Sequence, residues 1–234
     1  MKRASANRTE LDAMVVNIEL TLSSIVQGVA LYFLADNARS VLAENQRTAW
    51  PYVLAGLLII LLFWSRSIIH VLTVIRWPLE FGHNFFYVAC VLVEALAFTR
   101  LKTPFAWFVL IAIFSALVWG LVVYDQRIIR TRADDSAGPA GCRLYALVSG
   151  DQRLNIWLVV PAIFAFNVAC AYGIKAHPAF FLQREGHLIL ILCETAGLAV
   201  YLAYVVRCFA RLTPLIRETR QEWRSDLASD SESA

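Results

Sequence analysis

Residues 50–77 read WPYVLAGLLIILLFWSRSIIHVLTVIRW, an apolar run long enough to cross a bilayer that carries Arg66 and His70 inside it. About 20 residues at 1.5 Å each cover the roughly 30 Å of hydrocarbon. This stretch therefore sets the fold class as a membrane helix. It also sets a problem, because a cation at that depth is costly and needs a partner or water inside a bundle.

The rest of the chain agrees with that reading. Of its 234 residues 59% are hydrophobic and mean hydropathy is +0.59, above the roughly 45–50% apolar usage of soluble proteins. The excess falls in six blocks, at about 13–35, 51–75, 84–99, 105–124, 154–173 and 188–206. Lipid leaves no water to satisfy backbone groups, so the expected fold is an all-α polytopic transmembrane bundle with six predicted spans. The expected organisation is an N-terminal segment 1–12, a membrane domain 13–206 with a loop or small hairpin at 125–153, and a tail 207–234 that is disordered over its last ten residues. The polar connector 36–49 has the composition of a short interfacial helix, Thr9 with Asp12 suits a helix cap, and the connector 76–83 reads as a turn. The first ten residues lack the apolar core of a cleaved signal peptide.

The net charge of +3 comes from arginines scattered over short loops, which excludes a nucleic-acid surface. The five cysteines show no CxxC spacing and read as small apolar side chains. No metal ligands and no cofactor are assigned: His177, Glu185 and His187 lie near one membrane face without a ligand spacing. No HExxH, GxSxG or phosphate-cradling glycine loop occurs, so no catalytic residues are assigned and an enzyme ranks lowest.

Polar residues within the spans define the candidate site. Glu19, Ser23 and Gln27 recur every four residues, so they share one face of the first helix and should point into the bundle, with Gly28 beside them admitting a close neighbour. Arg66 lies ten residues before Arg76 and Glu94 eleven after His83, which puts both roughly 15 Å from the same membrane face. An Arg66–Glu94 ion pair is therefore expected. The fourth span contains only Ser115 as a conspicuous polar residue and should face lipid more than the others. Pro161 should kink the fifth span. Ala165, Ala169 and Gly173 match the spacing of Thr195, Ala199 and Ala203, which predicts close packing of spans five and six. Glu194 lies in the sixth span, with Tyr201 two turns on along a similar face.

With the N-terminus inside, the cytoplasmic side holds 14 Lys and Arg and the opposite side 6, so both termini are expected in the cytoplasm of a bacterial-type inner or plasma membrane. Asn7-Arg8-Thr9 then has the glycosylation pattern on the wrong side to be used. In the tail, Arg217, Arg220 and Arg224 fit a solvated helix better than one lying on the anionic leaflet.

Three interior carboxyls, Glu19, Glu94 and Glu194, face one obligate cation, Arg66, plus His70. The charges do not balance unless some carboxyls hold a proton, water or a bound cation. Two functions fit. One is conduction of a small cation or proton along a polar track of Glu19, Ser23, Gln27, Arg66, His70, Glu94 and Glu194. The other is a structural or partner-binding membrane protein whose buried charges only fix helix packing. The bilayer is the expected partner, with a second copy or another membrane protein as candidates. The Gln27-Gly28-Val29 end of the stripe, with Trp64 and His70 in the second span, resembles the bacterial relatives of the lysosomal potassium channel over about two helices. Where that family carries Phe-Ser-Asp-Gly, this chain reads Ile25-Val26-Gln27-Gly28, so the resemblance implies a channel-like bundle without that family's filter residues.

Overall fold

The computed structural model describes residues 2–73, 81–134 and 138–232, and its regular structure is helical throughout. The helices are α1 (Lys2–Ala43), α2 (Trp50–Thr73), α3 (Phe81–Phe98), α4 (Pro104–Asp134), α5 (Pro139–Leu154), α6 (Val160–Ala176) and α7 (His187–Glu232). A π turn, Asn155–Val159, joins α5 to α6 without a break, so the seven helices make six rods long and apolar enough to cross a membrane. The protein is a multi-pass membrane bundle, as the six apolar blocks predict.

Packing closes into a ring: α1 lies against α2, α2 against α7, α7 against α5, α5 against α4, α4 against α3, and α3 back against α1. α6 packs outside this ring on α4. The α4 face carrying Trp107, Phe108 and Ile111 is fully buried, and Tyr52 of α2 meets Trp107 edge-on at 5.5 Å. Such an aromatic pair adds about 0.5–1.5 kcal/mol beyond its area. Gly56 is a point of close helix approach, since a Cβ there would stand 2.9 Å from Leu34 Cδ1 and 3.0 Å from Phe98 Cε1.

Several boundaries differ from the sequence reading. α1 runs past the expected connector to Ala43, where Asn45 at φ 50° stops it. The amides of Asn45 and Gln46 bond back to the carbonyls of Leu42 and Val41, both at 3.1 Å, a left-handed helix stop that uses the orphan carbonyls. Only a 3₁₀ turn, Arg47–Ala49, separates α1 from α2. α1 also begins at Lys2, well before the cap expected at Thr9.

The stretch 125–153, expected as a loop, is mostly helix. α4 carries on to Asp134 because Ile128 and Ile129 bury one side of its charged end, and α5 starts at once with Pro139 in its first turn. α7 continues to Glu232 through the serine-rich end expected to be disordered, since neither glycine nor proline follows Pro214. The turn expected over 76–83 falls largely in 74–80, outside the described residues, as do the side chains of Arg220 and Arg224.

Two packing expectations fail for one reason. α4 is central rather than lipid-facing, and α6 sits on α4 rather than on α7, leaving Ala165, Ala169, Ala199 and Ala203 exposed on the bundle's outside. Lipid tails are as apolar as leucine, so hydropathy does not say which apolar face meets protein. Gly28 also faces outward, with nothing within 4 Å of a Cβ built on it. Of the cysteines, Cys90 and Cys170 are buried as expected, whereas Cys142 and Cys193 are exposed.

Candidate functional site: a polar cavity inside the ring

The ring encloses a narrow cavity of about 120 Å³. Its wall runs from Ile59 to Thr73 on α2 and from Ile111 to Asp125 on α4, about 21 Å of helix in each case at 1.5 Å per residue. That is most of the roughly 30 Å hydrocarbon thickness. Ionisable groups line it at both ends and in between: His70, His83 and Asp125 at one end, Arg66 and Asp151 next, and Glu194 toward the other.

Arg66 does not meet Glu94. Its Nη1 donates to Asp151 Oδ2 at 2.5 Å and its Nη2 to Gln152 Oε1 at 3.3 Å. Residue counting misplaces the depth: His70 stacks on His83 and Phe63 on Tyr87, so Arg66 is level with the Tyr87 turn and Glu94 lies about 10 Å further along α3. Ser67 takes the side of α2 that faces α1, so Arg66 looks toward α5. Asp151 is held by two further residues: Tyr204 donates to Oδ1 at 2.8 Å and Asn155 Nδ2 donates to the Asp151 carbonyl at 2.8 Å, while Tyr201 in turn donates to Asn155 Oδ1. Gln152 Nε2 ties the same point to the Val122 carbonyl of α4 at 2.8 Å.

The π turn places these groups. Pro161 has no amide hydrogen and its ring crowds the carbonyl of Trp157, four residues back. The helix answers with a wider turn over Asn155–Val159 just before it, in place of a simple proline kink, and Asn155 comes to lie buried against Tyr201.

At one end of the cavity, helices α2, α3 and α4 each supply one group. His83 Nδ1 lies 2.8 Å from Asp125 Oδ1, and His70 Nε2 lies 3.7 Å from the same oxygen. The imidazoles of His70 and His83 stack with centroids 4.8 Å apart and planes 8° from parallel. Tyr87 continues the column at 6.3 Å, and Phe63 follows at 5.0 Å. His70 Nε2 is buried without a hydrogen-bond partner.

Toward the other end, Trp107 Nε1 donates to Glu194 Oε2 at 3.0 Å and the Asn167 side chain lies beside the same carboxyl, whose buried Oε1 makes no close hydrogen bond. Unpartnered buried polar atoms usually mark an unseen water or ion. Both orphans belong to residues that line the cavity, which has room for several waters.

The seven residues singled out in the sequence therefore divide. Arg66, His70 and Glu194 line the cavity. Glu19, Ser23, Gln27 and Glu94 do not; they form a buried network beside it, between α1, α2 and α3. Gln27 Nε2 donates to both oxygens of Glu94 at 3.3 Å, Asn84 Nδ2 donates to Glu19 Oε1 at 2.8 Å, and Ser23 Oγ lies 3.0 Å from Ser67 Oγ. Tyr87 joins the two regions, its hydroxyl 2.8 Å from Ser23 Oγ and 3.3 Å from Gln27 Oε1 while its ring lines the cavity.

Sequence reading missed Asp125, Asp151, Gln152 and Asn155, which fell in or beside the expected loop, and His83, which fell in a connector. The groups expected as a weak metal candidate do not assemble: His187 Nδ1 bonds the Tyr52 hydroxyl at 3.0 Å, and His177 and Glu185 are exposed. Among the described residues, the His, Cys, Asp and Glu side chains grouped closely enough to hold a metal are His70, His83 and Asp125.

No family model matches the chain, and neither a curated protein nor a solved structure matches it at a significant level. The likeness noted in the first two spans therefore carries no further argument, and function rests on the cavity's chemistry.

Proposed function

We propose that this protein passes a small cation or proton across the membrane through the cavity inside the helix ring. One observation carries the reading: the cavity runs along most of a membrane thickness, and a buried polar atom without a close hydrogen bond lies toward each end, His70 Nε2 at one and Glu194 Oε1 at the other. The sign of the charge supports a cation. Arg66 is already neutralised by Asp151, leaving Asp125 and Glu194 as the other carboxyls on the wall. In our reading both termini are cytoplasmic, in keeping with 14 Lys and Arg on that side against 6 on the other.

The test is flux from purified protein in liposomes, under proton, sodium and potassium gradients in turn. Asp125→Asn and Glu194→Gln should each reduce the flux at least tenfold, whereas Lys102→Gln, on an exposed turn, should not. Absence of flux under every gradient would sink the proposal.

The network of Glu19, Ser23, Gln27 and Glu94 supports a second, structural role. Gln27 bonds Glu94, Glu19 bonds Asn84 and Ser23 bonds Ser67 and Tyr87, so these side chains serve to fix the register of α1 on α2 and α3. Gln27→Leu should then lower thermal stability and leave the flux per folded molecule unchanged.

A further inference from the structure

We infer that His70, His83 and Asp125 bind one divalent first-row transition metal ion of the zinc class. The three donor atoms lie within 4.8 Å of one another. Tetrahedral coordination at bond lengths of about 2.0–2.1 Å needs ligand separations of roughly 3.3 Å. The distances of 2.8 Å for His83 Nδ1 and 3.7 Å for His70 Nε2 to Asp125 Oδ1 bracket that figure. Because a nitrogen lone pair lies in its ring plane, the two imidazoles must rotate out of their parallel stacking for both to point at one ion.

A second observation points to a ligand. His70 is 92% buried, being 8% exposed, and its Nε2 has no partner among the described residues although it faces Asp125. Leaving such an atom unsatisfied costs about 1–3 kcal/mol, and a metal bond removes the cost. Two imidazoles and one carboxylate suit zinc, cobalt, nickel or iron, whereas magnesium and calcium take oxygen ligands almost entirely. Binding displaces the proton shared between His83 Nδ1 and Asp125 Oδ1, and the fourth coordination position opens to water in the cavity.

The site goes beyond the transport reading and does not depend on it. Binding is measured at equilibrium on the full chain in detergent, so a failed flux assay leaves it standing, and the reverse holds too. The chain, purified on a histidine-free tag, is titrated with Co²⁺ and followed by the visible absorption of the bound ion. The expected result is one Co²⁺ per chain, displaced by equimolar Zn²⁺ and unaffected by a large excess of Mg²⁺. His70→Gln and Asp125→Asn should each weaken binding at least about tenfold, the scale on which even outer-shell changes act, while His177→Gln leaves it unchanged. A wild-type chain that takes up no Co²⁺ above the detergent blank overturns the inference, whether or not the variants fold. So does binding that survives both cluster substitutions or disappears with His177→Gln.

Discussion

Arg66 shows what a single side chain requires inside a membrane. Its guanidinium is held by Asp151 and Gln152 on α5, and the acceptor Asp151 is itself fixed by Tyr204. Removing one partner leaves an uncompensated charge, which for buried pairs costs about 3–5 kcal/mol. The Arg66 side chain keeps 19% exposure, so Asp151→Asn should cost about 3 kcal/mol, at the lower end of that range. Thermal unfolding in detergent measures it. The double variant Arg66→Met with Asp151→Leu should recover part of the loss, because no charge is then stranded; losses that merely add would show that the two residues do not cooperate. That Arg66 lies inside an apolar span was readable in the sequence, whereas its level against α3 and its partner were not. Asp151 sits in the run Gly-Asp-Gln-Arg, whose polarity reads as loop, although the backbone there is helical and the side chain turns inward. Glu19, Ser23 and Gln27 were readable because a repeat of four fixes a face directly, whichever helix it meets.

Between elements, Gly56 marks a close approach where α1, α2 and α3 meet. Leu34 and Phe98, the side chains a new methyl would strike, are 3% and 0% exposed and have little space to retreat. Gly56→Ala should therefore cost about 1–3 kcal/mol by overpacking, read as a lower unfolding temperature. Gly28→Ala, with open space around it, should be tolerated. Equal effects at the two glycines would refute this account of the packing. The sequence suggested the opposite, because Gly28 adjoins the inward stripe while Gly56 is hidden in a uniformly apolar run. Existence and approximate extent of all six spans were legible from composition. Which apolar helices touch was not, since every face of α4 and α6 looks equally suited to lipid.

In the proposed six-crossing arrangement the ends of α2 and α4 at Thr73 and Asp134 share a side with the termini, and the turns near Asn45, Lys102 and Glu185 lie on the other. With the orientation proposed here, a membrane-impermeant maleimide applied to intact cells should label Lys102→Cys, and should label Gln221→Cys only after the membrane is opened. The reverse pattern would invert the protein and the direction of any passage through it. The π turn before Pro161 adds a consequence for the bundle as a mechanism of moving parts. A π turn holds one residue more than an α turn, so it works as an offset coupling between two halves of one shaft. Deleting Trp157, which points outward at 79% exposure, should restore ordinary winding while leaving α5 and α6 in their present mutual orientation. Rewinding the turn to α with every residue kept would instead rotate α5 by about 100° on α6 and swing Asp151, Gln152 and Asn155 together out of reach of Arg66 and Tyr201.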